Sequence, residues 1–273
     1  MDGRAHQRPG EFAAYGVTEA NAGSNVAGIQ TRAEKRGAAY IINGSKTFIT
    51  NASYANFYTI FAKTDPGAGH RGITCFIIDR ETPGLSVGKK FDKLGQRASD
   101  TAELVFENVE VPEANVVGSI GQGFYLAMQV FDHSRPGVAA AATGLQRRAL
   151  EESVNYAAER EAFGLPIYQH QAVGHKIADM AMNYEASRLL TWQSAWQIDN
   201  GIHNPRIPAY AKAFAADMAT RAAVDAVQVF GGYGYMKEYP VEKLLRDVKI
   251  FQIYEGTSEI QRNIIVRELF RGR

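Results

Sequence analysis

The spacing of apolar residues changes once along this chain, near Gly121, and the change separates a stretch that reads as strands from one that reads as helices. Before it, Ala39–Asn43 is short and apolar, Ser45–Thr50 alternates, and Asn43-Gly44 between them is a strong hairpin signal. Asn56–Lys63 and Arg71–Asp79 follow, parted by the turn cluster Asp65-Pro66-Gly67-Ala68-Gly69. Glu81-Thr82-Pro83-Gly84 closes that strand, and Thr101–Pro112 gives another, with Ala102, Leu104, Phe106 and Val109 as its apolar positions. Short strands punctuated by turns predict a small β-barrel or sandwich over residues 1–118. After it, Phe124–Phe131, Leu145–Ala158, Ile177–Ile198, Ala209–Phe230 and a last segment from Ser258 to Phe270 repeat apolar residues every three or four positions. Pro136 is expected to kink the first of these or to begin a new helix. Long helices with short connections predict a four-helix bundle over 119–273, so the fold class is α+β.

Composition removes several kinds of function. Thirty Lys and Arg against 29 Asp and Glu leave a net charge of +1, which gives no electrostatic reason to expect nucleic acid or an acidic membrane surface as a partner. No apolar run approaches a membrane span, and Met1–Phe12 has no apolar segment of the kind a secretory signal carries. The one cysteine, Cys75, lies in the apolar run Ile73–Asp79 and reads as a buried structural thiol. A reducing compartment fits: the cytoplasm of a bacterium, or alternatively the mitochondrial matrix. His170 and His175 share no helical face and have no partner at metal-ligand spacing, so no metal site is expected. There is no G-x-S-x-G elbow and no P-loop.

Four stretches could carry chemistry, and each has a plainer alternative. Tyr15-Gly16-Val17-Thr18-Glu19-Ala20-Asn21-Ala22-Gly23-Ser24-Asn25 could turn backbone N–H groups toward an anion or a flat ring, or be only a loop. Asp132 and Arg135, three apart on a helix, could meet a ligand or pair with each other. Gln228-Val229-Phe230-Gly231-Gly232-Tyr233-Gly234-Tyr235 is rich in glycine but follows a helix, which argues against a dinucleotide loop and for a glycine-capped helix end. In Tyr254-Glu255-Gly256-Thr257-Ser258-Glu259-Ile260-Gln261-Arg262, Ser258 and Gln261 have capping-box spacing, with Glu255 just outside the helix start. That carboxylate is either a reactive group or a solvated residue favoured by the helix dipole.

In this order and spacing the stretches resemble the acyl-CoA dehydrogenase family. The first is similar to its Y-x-V-T-E-x-x-A-G-S-D segment, and Tyr40–Asn51 to its I-N-G-x-K-x-[WF]-I-[TS]-N strand pair. Arg160-Glu161-Ala162-Phe163-Gly164 with His170-Gln171, the glycine-rich element, Arg246-Asp247 and Ile253-Tyr254-Glu255-Gly256-Thr257 continue the resemblance, nearest to the medium-chain branch. It departs from the pattern in Ala20 for the usual Pro, Asn25 for Asp, Ala162 for Thr or Gln, and Phe48 for Trp. The family's helical N-terminal domain is expected to be missing, since the chain starts just before Tyr15.

The resemblance implies a β-sheet middle domain, a helical C-terminal domain and FAD in a cleft between them. Tyr15, Val17, Thr18, Phe48, Ile49 and Thr50 would surround the flavin ring. Arg160, Phe163, Gln228 and Gly232 would reach the ADP half of FAD in a neighbouring subunit, with Gln171 a further cofactor contact and Thr257 and Glu259 along the cofactor. Ser24, Asp132 and Arg135 would meet the CoA moiety and Gly256 the thioester end. Glu255 would remove the α-proton of an acyl-CoA while the β-hydrogen leaves as hydride. A thioester α-proton is far less acidic than a carboxylic acid, so this needs a dry site and stabilisation of the enolate-like oxygen. Ser134, at the family's second location for the base, is no carboxylate, which leaves Glu255 alone. Implied partners are an electron-transfer flavoprotein as electron acceptor and further copies in a dimer or tetramer, or a heteromer supplying the missing domain. An acyl-CoA oxidase, or a non-catalytic fragment or partner subunit, are the alternatives.

Overall fold

The structure, a computed structural model, describes residues 11–272 and resolves into two compact units. The first takes the chain to Lys93 together with Arg97–Gln129; the second takes Leu94–Gln96 and the chain from Val130 onward.

The first unit is built on one eight-stranded sheet. Its strands are β1 (Ala13–Gly16), β2 (Arg32–Arg36), β3 (Ala39–Thr50), β4 (Phe57–Lys63), β5 (Ile73–Asp79), β6 (Leu85–Lys90), β7 (Thr101–Pro112) and β8 (Val116–Val117). Their order is β6-β7-β3-β2-β4-β5-β8, with β1 parallel to β4. The sheet is therefore open, with β6 and β8 as its ends, and not the closed barrel that was one of the two expectations. Alternation along β3, β4 and β7 aims Tyr40, Ile42, Ile60, Tyr58, Leu104 and Phe106 into one core with Phe76 and Ile78 of β5. Fully burying side chains of this size stabilises by about 1.5–3 kcal/mol each. Cys75 lies in β5, 2% exposed, and burial pushes its thiol up to about 12, so it is an inert packing residue.

Asn43-Gly44 does not turn the chain. β3 runs straight through it, and the hairpin forms earlier, where Arg36 pairs with Ala39 around Gly37 at φ 61°. At Asn43 the register against β7 shifts, which is a bulge. Asn43 fills it by accepting from the Asn108 N–H (2.8 Å) and donating from its amide to Asn108 Oδ1 (3.2 Å). Gly44 is required by close approach: at φ 143°, a Cβ there would lie 2.8 Å from Thr31 Cα. Gly44→Ala is accordingly expected to cost about 2–3 kcal/mol of stability, read as a lower urea midpoint.

The second unit is helical. α1 (Gly123–Glu159) begins in the first unit and is one helix through Pro136, not two. The proline deletes one backbone bond of a 37-residue ladder, and the remaining bonds carry the helix past it. α2 (Gln171–Asp199) and α3 (Arg206–Phe230) are the other long helices, followed by the short α4 (Val241–Val248) and α5 (Ser258–Leu269). α3 buries nine alanines, among them Ala211, Ala215, Ala216, Ala219 and Ala223, and such small side chains let helix backbones approach closely. Gln146 of α1 joins three helices, its amide donating to Ser187 Oγ of α2 (2.9 Å) and the Ala215 carbonyl of α3 (3.1 Å). Between α1 and α2 the chain makes a small hairpin of β9 (Glu161–Ala162) and β10 (Leu165–Pro166).

Candidate functional site

The segment between α4 and α5 concentrates unusual geometry around Glu255. Glu255 has φ 54° and Gly256 φ 84°, two consecutive left-handed residues, of which the first pays a steric cost that only a surrounding structure sustains. Gly256 is needed because a Cβ there would meet the Gln261 amide nitrogen at 2.6 Å. α5 then begins at Thr257, whose side chain accepts from the Ile260 N–H (3.2 Å). The expected capping box at Ser258 does not form. Ser258 is buried inside the first turn and donates to Asp217 of α3 (2.9 Å), while the fully buried Gln261 turns back to the Glu255 and Gly256 carbonyls (3.2 and 2.9 Å). Asp217 also accepts from Gln252 (2.8 Å) and Arg262 (2.6 Å), so one carboxylate of α3 fixes both ends of the loop.

Glu255 is half-buried, and Ser134 of α1 donates to its Oε2 at 2.6 Å. Its backbone N–H has no hydrogen-bond acceptor among the described residues. One turn of α1 therefore holds the Glu255 carboxylate, and the same turn carries Asp132 and Arg135, which pair with each other. The pairing is the plainer of the two readings of these residues, but it is not a surface pair. Arg135 is 4% exposed, and burial presses its guanidinium below the usual range against the pull of Asp132. Its charge faces inward, near Glu255, whereas Asp132 is half-buried.

A second group in this unit is open to solvent. Phe163, at the tip of the β9–β10 hairpin with φ 54°, is 97% exposed. Arg160 lies over the ring of Tyr233 at 5.8 Å, which brings it beside Gly232, and Gln171 and Gln228 are exposed as well. His170 steadies the hairpin, its ring against Phe163 and its Nε2 3.0 Å from the Ala162 carbonyl. The glycine-rich element is a helix end, as its context argued: Gly231 caps α3 at φ 60°. Nothing lies within 4 Å of where a Gly232 Cβ would sit.

In the first unit, Tyr15, Val17 and Thr18 run from β1 alongside the bulged end of β3, where the Thr47 N–H donates to the Thr18 carbonyl (2.9 Å). Val17 and Ile49 are buried, which leaves chiefly their backbone to meet a ligand. Phe48 is the opposite: a second register shift puts it at φ 58° and leaves its ring 62% exposed, against Phe91 at 5.0 Å. Thr50 and Ser24 are exposed. Beneath this strip lies a buried ion pair. The fully buried Lys46 donates to Glu19 Oε1 (2.7 Å) and to the Val17 carbonyl (3.1 Å). Glu19 accepts further from the Gln30 N–H (2.5 Å) and from the Thr31 N–H and hydroxyl (3.0 and 2.6 Å). Burial pushes the ammonium down to about 8.

The sequence profile of the acyl-CoA dehydrogenase middle domain matches residues 14–109, and that of the C-terminal domain matches 121–270. The chain belongs to the acyl-CoA dehydrogenase family. It is 49% identical over 259 residues to an acyl-CoA dehydrogenase of Bacillus subtilis, covering 95% of this chain and 68% of that protein. It is 48% identical to a probable medium-chain specific acyl-CoA dehydrogenase of Caenorhabditis briggsae, covering 94% of this chain and 63% of that protein. Among solved structures, butyryl-CoA dehydrogenase from Megasphaera elsdenii superposes with a TM-score of 0.94 at 46% identity, covering 96% of this chain and 68% of that one. The chain thus spans about two thirds of the length of these relatives.

FAD is the cofactor of the acyl-CoA dehydrogenases, and the residues present fit it. A flat heteroaromatic ring suits an aromatic face held open on strained backbone, as at Phe48. Its phosphates and adenine suit a guanidinium, amides and an uncrowded glycine, as at Arg160, Gln228 and Gly232. The residues that hold these groups in place were not read from the sequence. Glu19 and Lys46 each stand in a quoted family segment, but both segments are rich in small and polar residues, so nothing local marks the two charges as a buried pair. Ser134 was read only as a residue unable to act as a base, yet it is a hydrogen-bond donor to the Glu255 carboxylate. Ser134→Ala is expected to lower kcat/KM by about ten- to a hundredfold, because one hydrogen bond to a charged group contributes about 1.5–3 kcal/mol. Steady-state rates of the variant and its parent check this.

Proposed function

We propose that this chain carries out the α,β-dehydrogenation of acyl-CoA thioesters to trans-2-enoyl-CoA, with Glu255 as the base and FAD as the hydride acceptor. The observation that carries the reading is the Glu255 carboxylate, half-buried on a strained left-handed turn and oriented by the Ser134 hydroxyl. Bound FAD would supply a two-electron acceptor for the β-hydrogen. Glu255 takes the α-proton; its own N–H, which has no acceptor among the described residues, is the donor suited to the thioester oxygen as charge develops there. The inward charge of Arg135 nearby favours the same build-up of negative charge. Tyr15, Thr18, Phe48, Thr50 and the backbone at Val17 and Ile49 form one set of FAD contacts. Arg160, Phe163, Gln171, Gln228 and Gly232 form another, with Thr257 and Glu259 at the start of α5. Ser24 and Asp132 remain available to CoA, and Gly256 to the thioester end.

An electron-transfer flavoprotein is the proposed electron acceptor, and a homo-oligomer the proposed assembly. Met182, Leu189, Trp192 and Trp196 support the latter, since α2 leaves all four exposed near heptad spacing, an apolar seam that another copy would cover. The purified protein tests the reading directly. It is expected to be yellow and to lose its colour with a medium-chain acyl-CoA in the absence of oxygen. Rapid peroxide formation in air would select an oxidase instead, and a colourless protein that takes up no FAD a non-catalytic subunit.

A further inference from the structure

Lys212 stands six residues into α3 in the run Ala209-Tyr210-Ala211-Lys212-Ala213-Phe214-Ala215-Ala216, the one basic residue there, and it is fully buried. An ammonium in such a place persists only where something in the fold uses its charge or its hydrogens. Among the described residues its ammonium makes one hydrogen bond, to the Gly256 carbonyl at 2.6 Å, shorter than the 2.9 Å bond that Gln261 makes to the same oxygen. Burial pushes its proton affinity down to about 8, against the pull of Asp217 of its own helix and of Glu255 and Glu259.

We propose that Lys212 is a positioning residue for the base: by gripping the Gly256 carbonyl it fixes the peptide plane that follows Gly256, and with it the second of the two left-handed residues on which the Glu255 carboxylate is presented. The proposal rests on Glu255 being the base. Gln261 holds the Glu255 carbonyl (3.2 Å) as well as that of Gly256, so the two side chains clamp consecutive carbonyls. Without Lys212 the Gly256 carbonyl keeps a donor, and the loop stays folded but free to rotate about the Gly256 peptide. Lys212 touches neither reacting atom and acts through the backbone alone.

The sign of the stability change separates this role from a merely structural one. Lys212→Met keeps the length of the side chain and removes a buried ammonium whose hydrogen-bond partner is a carbonyl and not a carboxylate, so the desolvation cost of that charge is removed with it. The expected result is an unchanged or raised melting temperature, with kcat lowered about tenfold or more and KM little changed, because a base misplaced by a fraction of an ångström loses rate and not affinity. The isotope effect with α-deuterated acyl-CoA should rise as proton removal becomes slower. Amide hydrogen exchange at residues 255–257 should quicken about tenfold in the FAD-free protein, a readout that needs no catalysis. If Lys212→Met does not fold, Lys212→Gln is carried through the same measurements. Unchanged exchange at 255–257 overturns the proposal whatever the activity. So does a fall in kcat matched by a fall in FAD content and melting temperature. Faster exchange in a protein whose parent does not oxidise acyl-CoA would leave the clamp standing and remove the proposed function.

Discussion

Glu255→Gln is expected to lower acyl-CoA-dependent reduction of the flavin by about 10³-fold or more, near the upper end of what a positioned general base contributes, while FAD stays bound. Gln has the shape of Glu, so the left-handed turn and the clamp on its carbonyls should survive the change. The Ser134 hydroxyl still finds an acceptor in the amide oxygen. What the variant loses is a group able to take a proton, so the change isolates chemistry from folding. Anaerobic mixing with acyl-CoA, followed at the flavin absorbance, gives the rate directly, and bleaching at the parental rate would refute the role assigned to Glu255. Glu255→Asp sharpens the result. It keeps the carboxylate but draws it back by one methylene, and a misplacement of about 1 Å costs about 10²-fold in rate. A loss that large with the charge intact would show that position, and not acidity alone, makes the residue a base.

What could be read from the sequence follows from where the physical signal lies. β4, β5 and β7 were legible because one side chain in two enters the core, whereas β2 (Arg32–Arg36) and β6 (Leu85–Lys90) were not, being mostly charged or solvent-facing. Asn43-Gly44 misled because an Asn-Gly pair serves a bulge as well as a turn, and only the approach of Thr31, distant in sequence, decides which. Of the two outcomes expected at Pro136, a new helix did not follow, because a long helix tolerates the loss of one bond. In the site, the roles proposed for Glu255 and the cofactor contacts rest on motifs that are local in sequence. Ser134, Lys212 and Gln261 act through contacts that join α1, α3 and α5, and no local pattern records those. Lys212 left a trace even so, a lone charge at helical spacing from Ala209, Ala215, Ala216 and Ala219 on a buried stripe.

The buried pair under the Tyr15–Thr18 strip gives the largest expected effect on stability. Glu19→Ala removes four donors' acceptor at once and strands Lys46 as a fully buried, unpaired ammonium, a change expected to cost about 3–5 kcal/mol. Urea unfolding of the FAD-free protein measures it. The double variant Glu19→Leu with Lys46→Met should recover much of that loss, because a pair of apolar residues leaves no charge to desolvate. Stability and binding should then part company. Lys46 also holds the Val17 carbonyl, so the double variant is expected to bind FAD more weakly even where its folding is restored. Acid provides an independent check of sign. Burial raises the Glu19 carboxyl, but the charge of Lys46, the bonds from Lys46 and Thr31 and the Gln30 N–H outweigh it and hold the group below its ordinary value. The unfolded chain therefore binds this proton more readily than the folded one. The stabilisation is complete above the ordinary glutamate value of about 4.3 and is lost as pH falls through the lowered one. Glu19→Gln should flatten that part of the stability–pH curve, and a curve as steep as the parent's would mean that the pair contributes packing and no charge.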